Sequence, residues 1–239
     1  MAERPLRVAA IGDVHASPAA PGRWRDTLAE ISGEADILCL CGDLTNHGTV
    51  PEAEALAADL RACSVPMLAV LGNHDHHCGA PEEVEAVLRQ AGVIFLEDEV
   101  HELQGVGFAG VKGFGGGFDG RMLDAFGETP IKAFVQEVVD QALRLEHALK
   151  ELDTERTVVV LHYAPIEATV VGEPEAIFPF LGCSRLAETI DRFEAVRAVF
   201  HGHAHHGSHT GATRRGIPVF NVAAAVAKPG GKAYALVEV

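Results

Sequence analysis

The sequence predicts an α/β fold in which two mixed β-sheets pack face to face with helices outside, in a single domain over 1–239. Three observations lead there. Between residues 7 and 90, apolar runs of strand length alternate with amphipathic stretches of helix length, the β-α-β-α rhythm of parallel strands joined by right-handed crossovers. In the middle and at the end of the chain the apolar runs become short and close together, as in a meander. Five of the apolar runs end on Asp, His or Asn, and in α/β sheets functional sites gather outside the carboxyl ends of the strands.

The elements follow in order. Val8-Ala9-Ala10-Ile11-Gly12 lies in a first strand over 7–12 and leads into Asp13-Val14-His15. Trp24, Leu28 and Ile31, at 3/4 spacing, give a helix over 21–32 one buried face. A second strand over 37–42 delivers Asp43. A helix over 51–62 follows, with Thr49 placed to cap it, Pro51 in its first turn and Leu56 and Leu60 facing inward. The third strand, 65–71, runs into Gly72-Asn73-His74-Asp75, and a helix over 81–90 comes next. Short strands over 93–96, 100–103 and 106–111 suit a meander. A glycine-rich run over 113–120 precedes a long helix over 129–153. The strand over 157–161 delivers His162. An irregular, proline-containing stretch over 164–183 leads to a helix over 186–193, and the strand at Val199-Phe200 delivers His201-Gly202-His203-Ala204-His205. Segments 218–222 and 233–239 finish the sheets. No internal repeat and no linker divides the chain.

Composition narrows the partners. A hydrophobic share of 48% is ample for a core. The net charge of -15, without a basic run, argues against a nucleic-acid polymer or an anionic membrane surface. A small phosphorylated substrate stays compatible, because bound metal ions supply positive charge locally. Cys39 and Cys41, two apart in one strand, point the same way into a core and read as small buried hydrophobes of a reducing compartment. No apolar run reaches the ~20 residues of a membrane span, and 7–12 is too short for a signal-peptide core. A soluble, cytoplasmic protein is expected.

Asp13, His15, Asp43, Asn73, His162, His203 and His205 form a set of seven candidate metal ligands with mixed oxygen and nitrogen donors and no thiolate. That set suits Mn, Fe or Zn better than Ca or a cysteine-rich structural zinc. The amide oxygen of Asn is a neutral, weak ligand, used where charge is already sufficient. Seven ligands exceed what one tetrahedral ion needs; two divalent or trivalent ions ~3.5–4 Å apart, sharing a carboxylate, would use them all.

Asp13-Val14-His15, Gly42-Asp43, Gly72-Asn73-His74-Asp75, His162 and Gly202-His203-Ala204-His205 resemble, in order, the five signature blocks of the metallophosphoesterase (calcineurin-like phosphoesterase) superfamily. The resemblance implies a four-layer αββα sandwich with a two-metal site. It places Asp13, His15, Asp43 and His205 on a first metal and Asp43, Asn73, His162 and His203 on a second, with Asp43 bridging. His74 matches the catalytic histidine, which is not a ligand. Two such ions would neutralise the phosphate oxygens and activate a bridging water, giving a hydroxide in line with the leaving group. His74 would stabilise or protonate the departing oxygen. The reaction implied is phosphoester hydrolysis on a small substrate. Cyclic-nucleotide phosphodiesterases and phosphomonoesterases of the superfamily share this ligand set, and a metal-free scaffold of the same fold is the remaining alternative.

The second block departs from the superfamily's Gly-Asp-x-x-Asp-Arg-Gly. It reads Gly42-Asp43-Leu44-Thr45-Asn46-His47-Gly48. Asn46 and His47 stand where an Asp pairs with the catalytic histidine and an Arg binds phosphate. Asn46 and His47 are thereby candidate substrate contacts, as is Arg185, which follows the His162 strand; Asp75 is the alternative charged partner of His74 and a second candidate catalytic residue. Further candidates at the pocket's border are the run Gly110–Gly120 with Lys112 and Arg121, and the residues Phe178, Phe180 and Ser184. His206 is the rival to His205 as a ligand.

Overall fold

The computed structural model describes residues 4–97 and 99–239; the expected domain over 1–239 also takes in 1–3 and 98, which lie outside the described residues. The elements run β1 (Arg7–Ile11), α1 (Arg25–Glu34), β2 (Ile37–Cys41), α2 (Val50–Leu60), β3 (Met67–Val70), α3 (Pro81–Gln90), β4 (Val93–Phe95), β5 (His101–Leu103), β6 (Val106–Val111), α4 (Thr129–Glu151) and β7 (Arg156–Leu161). They continue with α5 (Phe178–Leu181), α6 (Ser184–Ile190), β8 (Val196–His201), β9 (Thr210–Ala212), β10 (Pro218–Asn221) and β11 (Ala235–Glu238). One sheet has the order β11-β1-β2-β3-β4 and the other β5-β6-β7-β8-β10-β9.

Both sheets are mixed. β1 to β4 are parallel and β11 closes the first sheet antiparallel to β1, with Arg7 opposite Glu238. In the second sheet β6, β7, β8 and β10 are parallel, while β5 and β9 are antiparallel edges. Strand periodicity sorts the side chains into layers. Val8, Ala10, Cys39, Cys41, Leu68 and Val70 of the first sheet meet Phe108, Val158, Val160, Ala198 and Phe200 of the second in a core between the sheets. On the outer face of the first sheet, Ala9, Ile11, Leu38 and Leu40 pack on Leu28, Ile31, Leu56, Leu60, Val84 and Leu88 of α1 to α3. On the outer face of the second, Val111, Val159 and Val199 pack on Leu145 and Leu149 of α4 and Leu186 and Ile190 of α6. These are the four expected layers. Both strand-β2 cysteines lie in the central core, and all five cysteines are free.

Local signals explain several boundaries. Glu52, in the first turn of α2, accepts from Thr49 N–H at 3.2 Å and from His47 N–H at 2.8 Å, so the acid satisfies two backbone donors before the helix. Pro81 opens α3, with Glu82 and Glu83 in its first turn and Arg89 in its last, the charge order a helix dipole favours. α1 begins at Arg25 rather than 21; the preceding residues form turns, and Trp24 is held by bonds from its N–H to Asp59 (3.1 Å) and from its indole to the carbonyl of Val14 (2.9 Å).

The expected meander is not formed. β4 belongs to the first sheet, as the parallel partner of β3. The α3 crossover requires this, and Phe95 is thereby buried against the first-sheet helices. The chain then passes to the second sheet, where β5 and β6 form a hairpin around Gln104-Gly105, both at positive φ as a two-residue type I′ turn demands. The chain's end is likewise split: β10 joins β8 in parallel, β9 appears where no strand is expected, and β11 returns to the first sheet. No helix among the described residues is long and apolar enough to cross a membrane.

Candidate metal centre

The seven ligand candidates converge at the carboxyl ends of β1, β2, β3, β7 and β8, where the facing sheets bring their strand ends together. Loops after β1 and β2 are zipped by bonds from Asp13 N–H to Gly42 O, His15 N–H to Asp43 O and Ala16 N–H to Leu44 O, each 3.0 Å. Two groups of side chains have ligand atoms within 4.8 Å of one another: Asp13, His15, Asp43 and His205, and Asp43, His162 and His203. Asp43 is common to both. Asn73 stands beside the second group, its Oδ1 2.9 Å from His162 Nε2.

The backbone is strained at these positions. Among the described residues six non-glycines have positive φ, and four of them are Asp13, His15, Asp43 and His203. Left-handed backbone is costly for such residues and clusters at functional sites. Close packing explains two flanking glycines. A Cβ on Gly72 would collide with the backbone N and Oδ1 of Asp43, and one on Gly202 would collide with Asp13 Oδ2 and lie 2.8 Å from the carbonyl of Cys41.

The donor chemistry fits metal ions. His162 is fully buried, and burial holds its pKa well below 6.5, so it is neutral. Its Nδ1–H donates to the carbonyl of Cys41 at 2.9 Å, leaving Nε2 as a bare lone pair. That lone pair faces Asn73 Oδ1 and, at 3.4 Å, Asp43 Oδ1, an arrangement of acceptors without a proton between them that a cation would satisfy. His203 Nε2 donates to the carbonyl of Phe180 at 3.1 Å, which frees Nδ1. Burial lowers the pKa of His203 and takes that of His15 to about 4, and His15 Nδ1 is buried without a partner. Burial, with Asp43 nearby, raises the carboxyl of Asp13 despite its 2.9 Å contact with His205 Nε2; that same contact raises His205.

His74 lies at the edge of both groups. Its Nδ1 donates to a carbonyl at 2.7 Å, its side chain is partly exposed, and its Nε2 stands 3.8 Å from Asp43 Oδ2. The carbonyl belongs to Asn46. The expectation that the Asn46 side chain replaces the superfamily's Asp is therefore corrected: the amide turns to His47, 3.0 Å away, and the backbone orients His74. Asp75 is corrected as well. It is fully buried, and its carboxylate is taken up elsewhere than on the His74 ring; Oδ1 accepts from Thr45 N–H (2.8 Å) and Oγ1 (2.6 Å), and Oδ2 from Gly72 N–H (2.8 Å) and Leu44 N–H (3.1 Å). It ties the Asp43 loop to the Asn73 loop. Burial raises its pKa to about 6 against the pull of these bonds.

Other candidates fall outside the cluster. His47 is exposed and pairs through Nδ1 with Glu52 Oε1 at 3.0 Å. Arg185 is half-buried in the first turn of α6, and no hydrogen bond or ion pair joins it to the ligands. The glycine-rich run is structural: Gly113, Gly116 and Gly117 N–H groups are taken by Gln141, Pro179 and Gly182, Lys112 Nζ by the carbonyl of Gly113, and Arg121 by Glu167. His206 is exposed, its backbone N–H bonded to Glu173, and it is in neither ligand group. The carbonyls of Cys41, Asn46 and Phe180, which orient three histidines, carry no sequence signal. Thr45, whose N–H and hydroxyl hold Asp75, carries a sequence signal only as a neighbour of the motif residues.

The family model described as calcineurin-like phosphoesterase matches residues 6–207. No curated protein matches the chain. Among solved structures, the phosphopantetheinyl hydrolase PptH of Mycobacterium tuberculosis superimposes with a TM-score of 0.68 at 17% identity, over 100% of this chain and 97% of that one. TT1561 of Thermus thermophilus gives 0.55 at 16% identity over 92% and 89%. A purple acid phosphatase from yellow lupin (Lupinus luteus) seeds gives 0.53 at 16% over 86% of this chain and 38% of that one. At these identities the structures attest the fold, and the family match over most of the length decides membership: the chain belongs to the calcineurin-like phosphoesterase family.

Proposed function

We propose that this metal-dependent phosphoesterase hydrolyses small phosphodiesters, cyclic nucleotides among them, at a centre of two Mn, Fe or Zn ions. Asp13, His15, Asp43 and His205 would hold one ion, and Asp43, Asn73, His162 and His203 the other. The observation that carries the reading is the position of Asp43 in both groups, the arrangement a shared carboxylate needs. When bound, such a pair of ions neutralises the phosphate oxygens and activates a water for attack.

The chain's own residues support the rest. The Nδ1–H bond to Asn46 O points His74 Nε2 toward the reacting end, where it can stabilise or protonate the departing oxygen. Asp75 acts as a positioning residue, holding two ligand loops together. His47, in the place of the superfamily's Arg, is tied to Glu52, and the ammonium of buried Lys228 is held by the carbonyls of Ala223 and Val226. The metal ions would thus be the principal positive charge. That suits the single charge of a diester better than the two of a monoester.

The test is a hydrolysis panel of cyclic nucleotides, linear diesters and monoesters on metal-reconstituted enzyme. Chelation abolishes turnover, Mn²⁺ restores it, and diesters outrun monoesters. Asp43→Asn loses both metals and activity, whereas His15→Ala mainly weakens one site. A folded sample that takes up no second metal and hydrolyses no phosphoester would sink the reading; faster monoester turnover would reassign the substrate.

A further inference from the structure

Tyr163 follows His162 directly and is 7% exposed. Its ring lies against two ligand candidates, with centroids 4.4 Å from His203 and 5.4 Å from His162. Phe114 stands 5.7 Å away, and Lys112 Nζ lies 5.4 Å from the ring centroid. The backbone is pinned by a 3.0 Å bond from Tyr163 N–H to the carbonyl of Lys112. The ring is thus held between Phe114, Lys112 and the two histidines. The hydroxyl has no hydrogen-bond partner among the described residues, and it is not one of the sealed, unpartnered atoms; His15 Nδ1 alone is. Buried tyrosines ordinarily find a partner for this group. Here the ring lies against the ligand candidates, and the hydroxyl keeps contact with solvent within electrostatic reach of Asp43.

We infer that Tyr163 is a substrate-binding residue whose hydroxyl donates a hydrogen bond to a non-bridging oxygen of the phosphoester held at the metal centre. The inference rests on the phosphoesterase reading of the same site. An anionic oxygen is the strongest acceptor such a donor can meet. A neutral donor also adds a contact to phosphate without adding a cation that would repel the metal ions.

Tyr163→Phe isolates the claim, because it keeps the ring against His203 and removes only the hydroxyl. Three quantities are measured on the metal-reconstituted protein: metal content, calorimetric affinity for inorganic phosphate, and kcat/KM for a phosphodiester. Metal content should match the wild type, while phosphate affinity and kcat/KM should each fall roughly tenfold or more, the value of one hydrogen bond to a charged acceptor. Unchanged phosphate affinity and unchanged kcat/KM overturn the inference while leaving the phosphoesterase reading intact. Loss of metal from the variant overturns it in favour of a role in supporting His203. A wild-type protein that hydrolyses nothing, yet binds phosphate more tightly than the variant, upholds the Tyr163 contact and refutes the activity.

Discussion

Replacing Gly72 by alanine sets a methyl group against the shared carboxylate. The new Cβ would collide with the backbone N and Oδ1 of Asp43 and lie 2.9 Å from its Cγ. To reach the 3.4 Å of ordinary contact the Cγ alone must retreat by about 0.5 Å, and the backbone N further. Metal–ligand distances tolerate only ~0.2 Å. The loop cannot yield freely: Asp43 O accepts from His15, and Asp75 clamps Leu44, Thr45 and Gly72. The displacement therefore passes into both ligand groups. Overpacking of this kind costs ~1–3 kcal/mol, and each kcal/mol lowers Tm by ~2–4 °C at this chain length. Turnover should fall about 100-fold or more, as misplaced catalytic geometry does. Gly79→Ala is the control. Gly79 has φ +73 with nothing within 4 Å, so that variant meets backbone strain of ~1–2 kcal/mol but keeps its metals and its rate. The assays are metal content by mass spectrometry, phosphodiester turnover and thermal unfolding. A Gly72→Ala protein that keeps two metals and turns over like Gly79→Ala would refute the reasoning.

Two further outcomes follow from other parts of the structure. His74→Gln should slow esters with alkoxide leaving groups by about 100-fold or more and p-nitrophenyl esters far less, because general acid assistance matters where the leaving group is basic; equal losses for both would remove His74 from that role. Away from the site, burial alone would raise the Asp36 carboxyl, but hydrogen bonds from Arg7 and Arg4 outweigh it and hold its pKa well below 3.8. A depressed carboxylate stabilises the fold above its unfolded pKa, and this contribution is lost as pH falls through the folded value. Asp36→Asn should lower Tm at pH 7, and the gap from wild type should close on acidification below about pH 4. Thermal unfolding of the metal-free proteins from pH 7 to pH 3 measures it, and a gap that does not vary with pH would refute it.

The parts of the molecule legible in the sequence are those governed by short-range periodicity. The strands β1, β2, β3, β7 and β8 are apolar runs that stop at a polar residue, and the stop is itself the site. Sheet membership was not legible in the same way. Val93–Phe95 and Val106–Val111 look alike as apolar runs, yet one pairs with β3 and the other with β7. That choice is made by the α3 crossover and by the two-residue turn at Gln104-Gly105, which a reading by composition treats as a generic loop. Thr210–Ala212 escaped notice because an exposed edge strand of three residues needs no apolar alternation. At the site the ligands could be assigned from side-chain chemistry. The orientation of His74 could not, since its partner is the carbonyl of Asn46, and every residue type offers a carbonyl.

That difference also explains the wording of the motifs. Asp13 and Asp43 are bent into left-handed backbone just past their strands, and their carboxylates lie against Gly202 and Gly72 of other blocks. The approach is so close that the neighbouring chain can pass only as glycine: Gly202 lies on Asp13, Gly72 on Asp43, and a Cβ on Gly42 would lie 2.5 Å from His162 Nδ1. Gly42, Gly72 and Gly202 thus each serve a ligand from a different block, across the sheets or between adjacent loops, rather than the ligand beside them in sequence. The spacing within a block is local stereochemistry, while the recurrence of glycine across blocks is the imprint of tertiary contact. A substitution at one glycine should therefore resemble, in metal content, the loss of the ligand it touches and not the loss of its own neighbour. For Gly72 the two differ cleanly: the contact is Asp43, shared by both groups, and the neighbour is Asn73, which stands beside only one.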